Sequence, residues 1–190
     1  HPPAPHAPTP PPPHHTTQTP HASRTRSAPA LAETAIEDLS DLFRASLDSN
    51  HDQTTLGEEL TVARRYLNIE SLRLGVRLSV AWDLDDLSLE TAVPPLILQP
   101  LLENAIYHGI EPLPQGGIIH IAGHSQDGNL EIVISNPVAG ISKRTSGTRI
   151  AQENIRQRLQ IAFGAQADLV TSLSDGVYTV TLKMPGAGKQ

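Results

Sequence analysis

Cysteine is absent from this 190-residue chain. That excludes a disulfide framework, a thiolate nucleophile and a zinc–thiolate site. Aromatic residues make up only 3% of the sequence, so any core has to be aliphatic. No apolar run reaches the roughly 20 residues a helix needs to cross a bilayer. Basic residues are few: 14 Lys and Arg stand against 20 Asp and Glu, for a net charge of -6. Without a basic stripe, a general nucleic-acid partner is not expected. The chain opens on His1 and its single methionine is Met184, which predicts a fragment or a processed product. The length suffices for one well-buried domain plus an appendage.

Residues 1–30 hold ten of the seventeen prolines and five of the nine histidines. Such a composition cannot bury enough apolar area to offset its ordering entropy, and predicts a disordered or polyproline segment. From Leu31 the pattern changes. Ala32, Ile36, Leu39, Phe43 and Leu47 recur at three- and four-residue steps, predicting an amphipathic helix to about Asp48. After a polar break, Thr55 and Glu58 form a capping-box signature. Leu60, Ala63, Leu67 and Leu74 then mark a second helix, and the two make a helical hairpin over residues 31–75. Their apolar stripes need cover, which a second copy of the chain would supply.

Residues 76–190 read as a separate α+β domain. Strand-like alternation runs from Val76 to Trp82, and Asp127-Gly128 and Asp175-Gly176 each separate two strand-like runs, a strong hairpin signal. A helix from about Ile150 to Phe163 closes at Gly164. Pro94-Pro95 suits a helix N-terminus, and Pro100 inside the next helix predicts a kink or a late start.

The run Leu96 to Gly109 is the most informative stretch. Glu103, Asn104 and His108 interrupt an otherwise apolar helical segment. Residues four apart share a helix face, so Asn104 aligns with His108, and Glu103 lies about 100° away. A carboxylate, an amide and an imidazole would line one rim of a buried helix, and oxygen donors of this kind suit Mg²⁺.

Val93 to Gly109, VPPLILQPLLENAIYHG, closely resembles the N box of the LytS/AlgZ-type sensor histidine kinases. Upstream, Glu58-Glu59-Leu60 and Tyr66 to Arg73 resemble the family's helix leading into its ATPase domain. Downstream, Asn154 to Leu159 and Phe163-Gly164 resemble its G2-box helix. The resemblance covers residues 30–185. It implies the two-layer α/β sandwich shared by histidine kinases, gyrase, Hsp90 and MutL, with ATP and Mg²⁺ as cofactors. It also implies a response regulator as partner and a homodimer formed through the helical hairpin; the charge balance already leaves no nucleic acid expected. The parent would be a bacterial inner-membrane protein with this portion in the cytoplasm, held to the membrane only through segments absent from this sequence.

The same resemblance assigns Asn104 as the Mg²⁺ ligand beside the nucleotide phosphates. Glu103 is either a general base or orienting carboxylate, or a solvated helix-face residue. His108 either donates to phosphate or caps the helix end.

Other positions depart from the family pattern. Where it carries an Asp for the adenine amino group followed by Asn-Gly-x-Gly, this chain has Ser135-Asn136-Pro137. Asn136 is either a substitute acceptor or part of an ordinary Asn-Pro turn. In the glycine-rich lid, Gly147, Ile150 and Asn154 fit, whereas Arg149 replaces a Gly and either contacts phosphate or hinders its approach. Arg156 and Arg158 read as solvated helix-face charges. The acceptor box Pro-His-Phe-Leu-Phe-Asn is replaced by Pro20-His21-Ala22-Ser23-Arg24-Thr25, so autophosphorylation on a family-type His is not expected. The alternative reading is a non-catalytic dimeric interaction module that keeps the fold with weak or no nucleotide turnover.

Overall fold

The computed structural model describes residues 53–84, 87–139 and 146–186, with 146–149 as backbone only. The Pro/His-rich segment and the first arm of the expected hairpin lie outside the described residues. The second arm is α1, Leu56–Leu74. It starts where the capping box was expected: Thr55 Oγ1 accepts from Glu58 N at 3.2 Å and Glu58 Oε2 accepts from Thr55 N at 3.0 Å. Two of the donors orphaned at a helix N-terminus are thereby satisfied. Leu56, Leu60, Ala63, Leu67 and Leu74 form its buried stripe. Gly75, at φ +59°, ends it in a conformation that disfavours any side chain.

A 3-10 turn at Gly75–Arg77 takes up the first residues of the expected strand and leaves Val76 fully exposed, so β2 runs later, over Leu78–Leu84. The two-residue strands β1 (Thr54–Thr55) and β3 (Ala92–Val93) pair antiparallel as a small clasp. Next come the short helix α2, Gln99–Asn104, and a π-helical turn, Ala105–Ile110. Helix α2 starts late, with Pro100 in its first turn, where the missing N–H costs nothing.

The remaining strands are β4 (Gly117–Gln126), β5 (Asn129–Pro137), β6 (Asp168–Ser174) and β7 (Val177–Pro185), and α3 spans Ser146–Phe163. Both expected hairpins form. Asp127 and Gly128 have φ of 52° and 77°, Asp175 and Gly176 of 52° and 74°, the double positive φ of a tight hairpin turn. The five-stranded sheet has the order β2-β4-β5-β7-β6. All its pairings are antiparallel except β2 with β4, which are parallel. A parallel pair needs a crossover, and the crossover here is the segment carrying α2 and the π turn.

Alternation puts Ile119, Ile121, Leu130, Ile132, Ile134, Val180, Leu182 and Met184 on one buried face. They share a core with Leu102, Ile106, Ile110, Ile155 and Leu159 from the helical layer. The result is the expected two-layer α/β sandwich. Among the described residues, no helix is long and apolar enough to cross a membrane.

Candidate functional site

The turn that leads into α2 is held by a residue distant in sequence. Glu59, on the buried stripe of α1, is only 4% exposed. Its Oε1 accepts from Leu96 N at 2.6 Å, and its Oε2 accepts from Ile97 N and Leu98 N, each at 3.0 Å. Three successive backbone N–H groups thus converge on one carboxylate, the arrangement known as an anion-binding nest. Leu96 sits at φ +56°, which is uncommon for a side chain of its size, and the three bonds help hold it there. Burial pushes the Glu59 carboxyl above the usual glutamate range, while the backbone donors and nearby Arg158 pull it back.

Asn104 closes α2. It is half-buried, and its Nδ2 is buried with no hydrogen-bond partner. Orphaned amide donors are uncommon in folded proteins and point to a missing ligand or water. Glu103 is exposed beside it and accepts from Gln99 Nε2 at 3.0 Å. The two face a cleft of about 340 Å³, lined also by Tyr66, Arg73, Ile106, Tyr107 and Glu111. Arg73 is the one cation among these lining residues, and it is already engaged: its Nη1 lies 2.5 Å from Glu111 Oε1, and it also bonds Glu70. Burial, reinforced by Glu70 and Glu103, raises the Tyr66 hydroxyl above the usual tyrosine range.

His108 is not among the residues lining this cleft. Its expected alignment with Asn104 rested on an α-helical period. Past Asn104 the backbone switches to i→i+5 bonding, with Glu111 N donating to Ile106 O at 2.9 Å, a geometry that still leaves residues four apart near one face. The His108 ring packs edge-on against Tyr107, with centroids 4.7 Å apart.

Asn136 is 4% exposed and its Nδ2 donates to the carbonyl of Pro137 at 2.9 Å. It does reach the Leu96–Gly109 segment, where it packs against Gly109. A Cβ placed at Gly109 would lie 2.2 Å from Asn136 Nδ2. Gly147 and Arg149 were expected in a lid ahead of the helix. They lie instead in the first turn of α3, which begins four residues earlier than its apolar pattern indicated. The Arg149 side chain is outside the description. Asn154 is exposed on the same helix.

Arg156 and Arg158, expected as solvated helix-face charges, keep partial or full exposure and in addition reach carbonyls elsewhere in the fold. Arg156 donates through Nε and Nη2 to Leu169 O, both at 3.2 Å, and Arg158 Nη1 donates to Pro95 O at 2.7 Å. Each guanidinium holds a carbonyl that its own helix cannot reach. Glu59 and Gln152 were missed as important residues. The signal for Glu59 was present: a carboxylate three residues after Leu56 and four before Ala63, on an apolar stripe. Gln152, 2% exposed, donates Nε2 to the Tyr178 hydroxyl at 2.7 Å and fixes α3 to β7.

Comparison with known proteins adds to this geometry. The histidine kinase family model matches residues 18–78. Sensor histidine kinase YesM of Bacillus subtilis (strain 168) is 34% identical over 133 residues, covering 68% of this chain and 23% of that protein. Sensor histidine kinase/phosphatase LytS of Staphylococcus aureus (strain Mu50 / ATCC 700699) is 32% identical over 152 residues, covering 73% and 26%. The chain thus spans about a quarter of the length of these curated relatives. The catalytic domain of histidine kinase ThkA superposes with a TM-score of 0.53 at 14% identity, covering 70% of this chain and 97% of that one, which supports the fold. Sequence and architecture agree: this chain belongs to the LytS-type sensor histidine kinases, and its described residues carry the histidine-kinase catalytic-domain fold.

Proposed function

We propose that this chain is the nucleotide-binding catalytic portion of a two-component sensor histidine kinase. It holds Mg·ATP against the Asn104 helix, in the cleft that Tyr66 and Arg73 of α1 also line, with the start of α3 assigned to the nucleotide by resemblance alone. The γ-phosphoryl passes to a His and then to an Asp of a response regulator. The observation that carries this reading is the buried, unpartnered Asn104 Nδ2 beside the Glu103 carboxylate, in a cleft whose guanidinium is already paired. Phosphates entering such a cleft need countercharge from elsewhere. Mg²⁺ fits that need, since it takes few protein ligands and completes its shell with water and phosphate.

The Asn104 amide oxygen is the group that would hold it, and the bound ion would offset charge developing on the phosphoryl oxygens. Asn104 Nδ2 donates to a phosphate oxygen. Glu103 accepts a proton from the acceptor imidazole or orients it. His108, Asn136, Gly147, Arg149 and Asn154 are carried as nucleotide-side residues by resemblance. Residues 31–75 form the homodimer, and the parent protein is anchored in a bacterial inner membrane with this portion in the cytoplasm.

Isothermal titration of ATP with Mg²⁺ tests the site. Wild type should bind and Asn104→Ala should lose that binding, whereas equal binding by both refutes the assignment. Labelled ATP should leave no acid-labile, base-stable phosphate on the chain. Pro20-His21 does lie within the residues matched by the family model. A phosphoprotein that disappears in His21→Ala would therefore overturn that part of the proposal. One observation favours the non-catalytic interaction module: the Asn136 amide is committed to Pro137, which weakens the adenine side. Absence of any nucleotide binding by wild type would establish that reading instead.

A further inference from the structure

Burying a carboxylate is costly unless both oxygens are satisfied, so the Glu59 arrangement calls for a role. Helix α2 has no side-chain cap of its own at Leu98. Glu59 supplies that function from α1, across 37 to 39 residues of sequence. From the opposite side, α3 reaches the same turn through Arg158 and the Pro95 carbonyl. One four-residue turn is therefore clamped by an anion from the preceding helix and a cation from the following one. Asn104 sits six residues beyond Leu98, about 9 Å along a helical rise. In so short a helix, the placement of the first turn sets the placement of the last residue.

We propose that Glu59 is a positioning residue for the Asn104 site. Together with Arg158 it latches the 95–98 turn to α1 and α3, and so fixes where the Asn104 amide meets Mg²⁺ and phosphate. This rests on the reading of Asn104 as the metal-side residue. Capping alone would give stability and nothing more. Two features point further. The clamp joins all three α-helices of the described residues at the start of the site-bearing segment, and it holds Leu96 at a φ of +56° that the turn would not adopt unaided.

The test separates positioning from folding by the magnesium dependence of nucleotide affinity. ATP is titrated into the full chain in Mg²⁺ and again in EDTA, for wild type, Glu59→Gln, Arg158→Met and Asn104→Ala, with urea unfolding run beside each. Glu59→Gln keeps the shape but sets an NH₂ against a backbone N–H. It should cut Mg·ATP affinity about 10- to 100-fold, the range seen when groups that orient metal ligands are removed. Affinity for ATP in EDTA should fall several-fold less than that, because without the metal a displaced Asn104 forfeits only its Nδ2 hydrogen bond to phosphate.

Equal losses in both buffers, or an unchanged magnesium ratio, would overturn the positioning role. Should Glu59→Gln fail to fold, Arg158→Met, altered at an exposed residue, decides by the same ratio. No binding by wild type, or a magnesium ratio unaffected by Asn104→Ala, overturns the site reading and this inference with it. An altered ratio in Asn104→Ala with none in the latch variants overturns the latch alone.

Discussion

Gly109 packs closely against Asn136 and Pro137 of the sheet, and replacing it with Ala gives a sharp test of that packing. The added Cβ would lie 2.2 Å from Asn136 Nδ2, 3.0 Å from Asn136 Cγ and 2.8 Å from the Pro137 carbonyl oxygen. Optimal separations for such atoms are about 3.5 Å or more, so the shortest contact is too close by more than an ångström. The Asn136 amide cannot swing aside without breaking its 2.9 Å bond to Pro137 O, and the carbonyl belongs to backbone fixed in β5. Overpacking of this kind costs about 1–3 kcal/mol, and the strained hydrogen bond adds about 1 kcal/mol. Helix propensity returns at most about 1 kcal/mol in favour of Ala. The net expectation is destabilisation of about 1–3 kcal/mol, read from urea unfolding followed by circular dichroism. Pairing the change with Asn136→Ala should recover part of the loss, because the shortest contact disappears while the one to Pro137 O remains. Gly109→Ala at or above wild-type stability would refute the packing argument, as would strict additivity with Asn136→Ala.

Three further outcomes follow from the described geometry. Thr55→Ala removes half of the capping box on α1 and should lower the unfolding free energy by about 1 kcal/mol in the same urea assay. Tyr178→Phe deletes the hydroxyl that accepts from buried Gln152 and should cost about 1 kcal/mol, visible as a lower thermal midpoint with an intact far-ultraviolet spectrum. Burial holds the Tyr66 proton more tightly in the folded state than in the unfolded chain. Stability fully present below the ordinary tyrosine value near 10 should therefore fall as pH rises above it, and Tyr66→Phe should flatten that alkaline slope in unfolding curves taken from pH 8 to 11.

Much of the fold was legible because it is encoded locally. Asp127-Gly128 and Asp175-Gly176 state their turns outright, and Thr55 with Glu58 states where α1 begins. Pro100 correctly signalled a late helix start. Asn104 stood out as a polar residue at the end of an apolar run, and its unpartnered amide gives it physical content.

What was not legible depends on partners distant in sequence. Nothing in Leu78–Leu84 reveals that its neighbour is the parallel strand β4, since strand pairing is a tertiary choice. The π turn at Ala105–Ile110 leaves no mark in apolar periodicity. Arg156 and Arg158 look like any helix-surface arginines until the carbonyls of Leu169 and Pro95 are brought to them. Helix α3 gained its first turn from Ser146, Gly147, Thr148 and Arg149, residues that read more naturally as a loop.

The small clasp between β1 and β3 has a mechanical consequence. Its register sets Thr54 opposite Val93 and Thr55 opposite Ala92, so the point where the chain enters the domain is bonded to the residue just ahead of Pro94-Pro95. A pull or twist on the segment preceding Thr54 is therefore delivered at two places at once. It passes along α1 as a rod, and it passes sideways through two residues of ladder to the very turn that sets Asn104. The clasp thus ties the start of α1 and the approach to the Asn104 segment into one unit, by a route that bypasses the core.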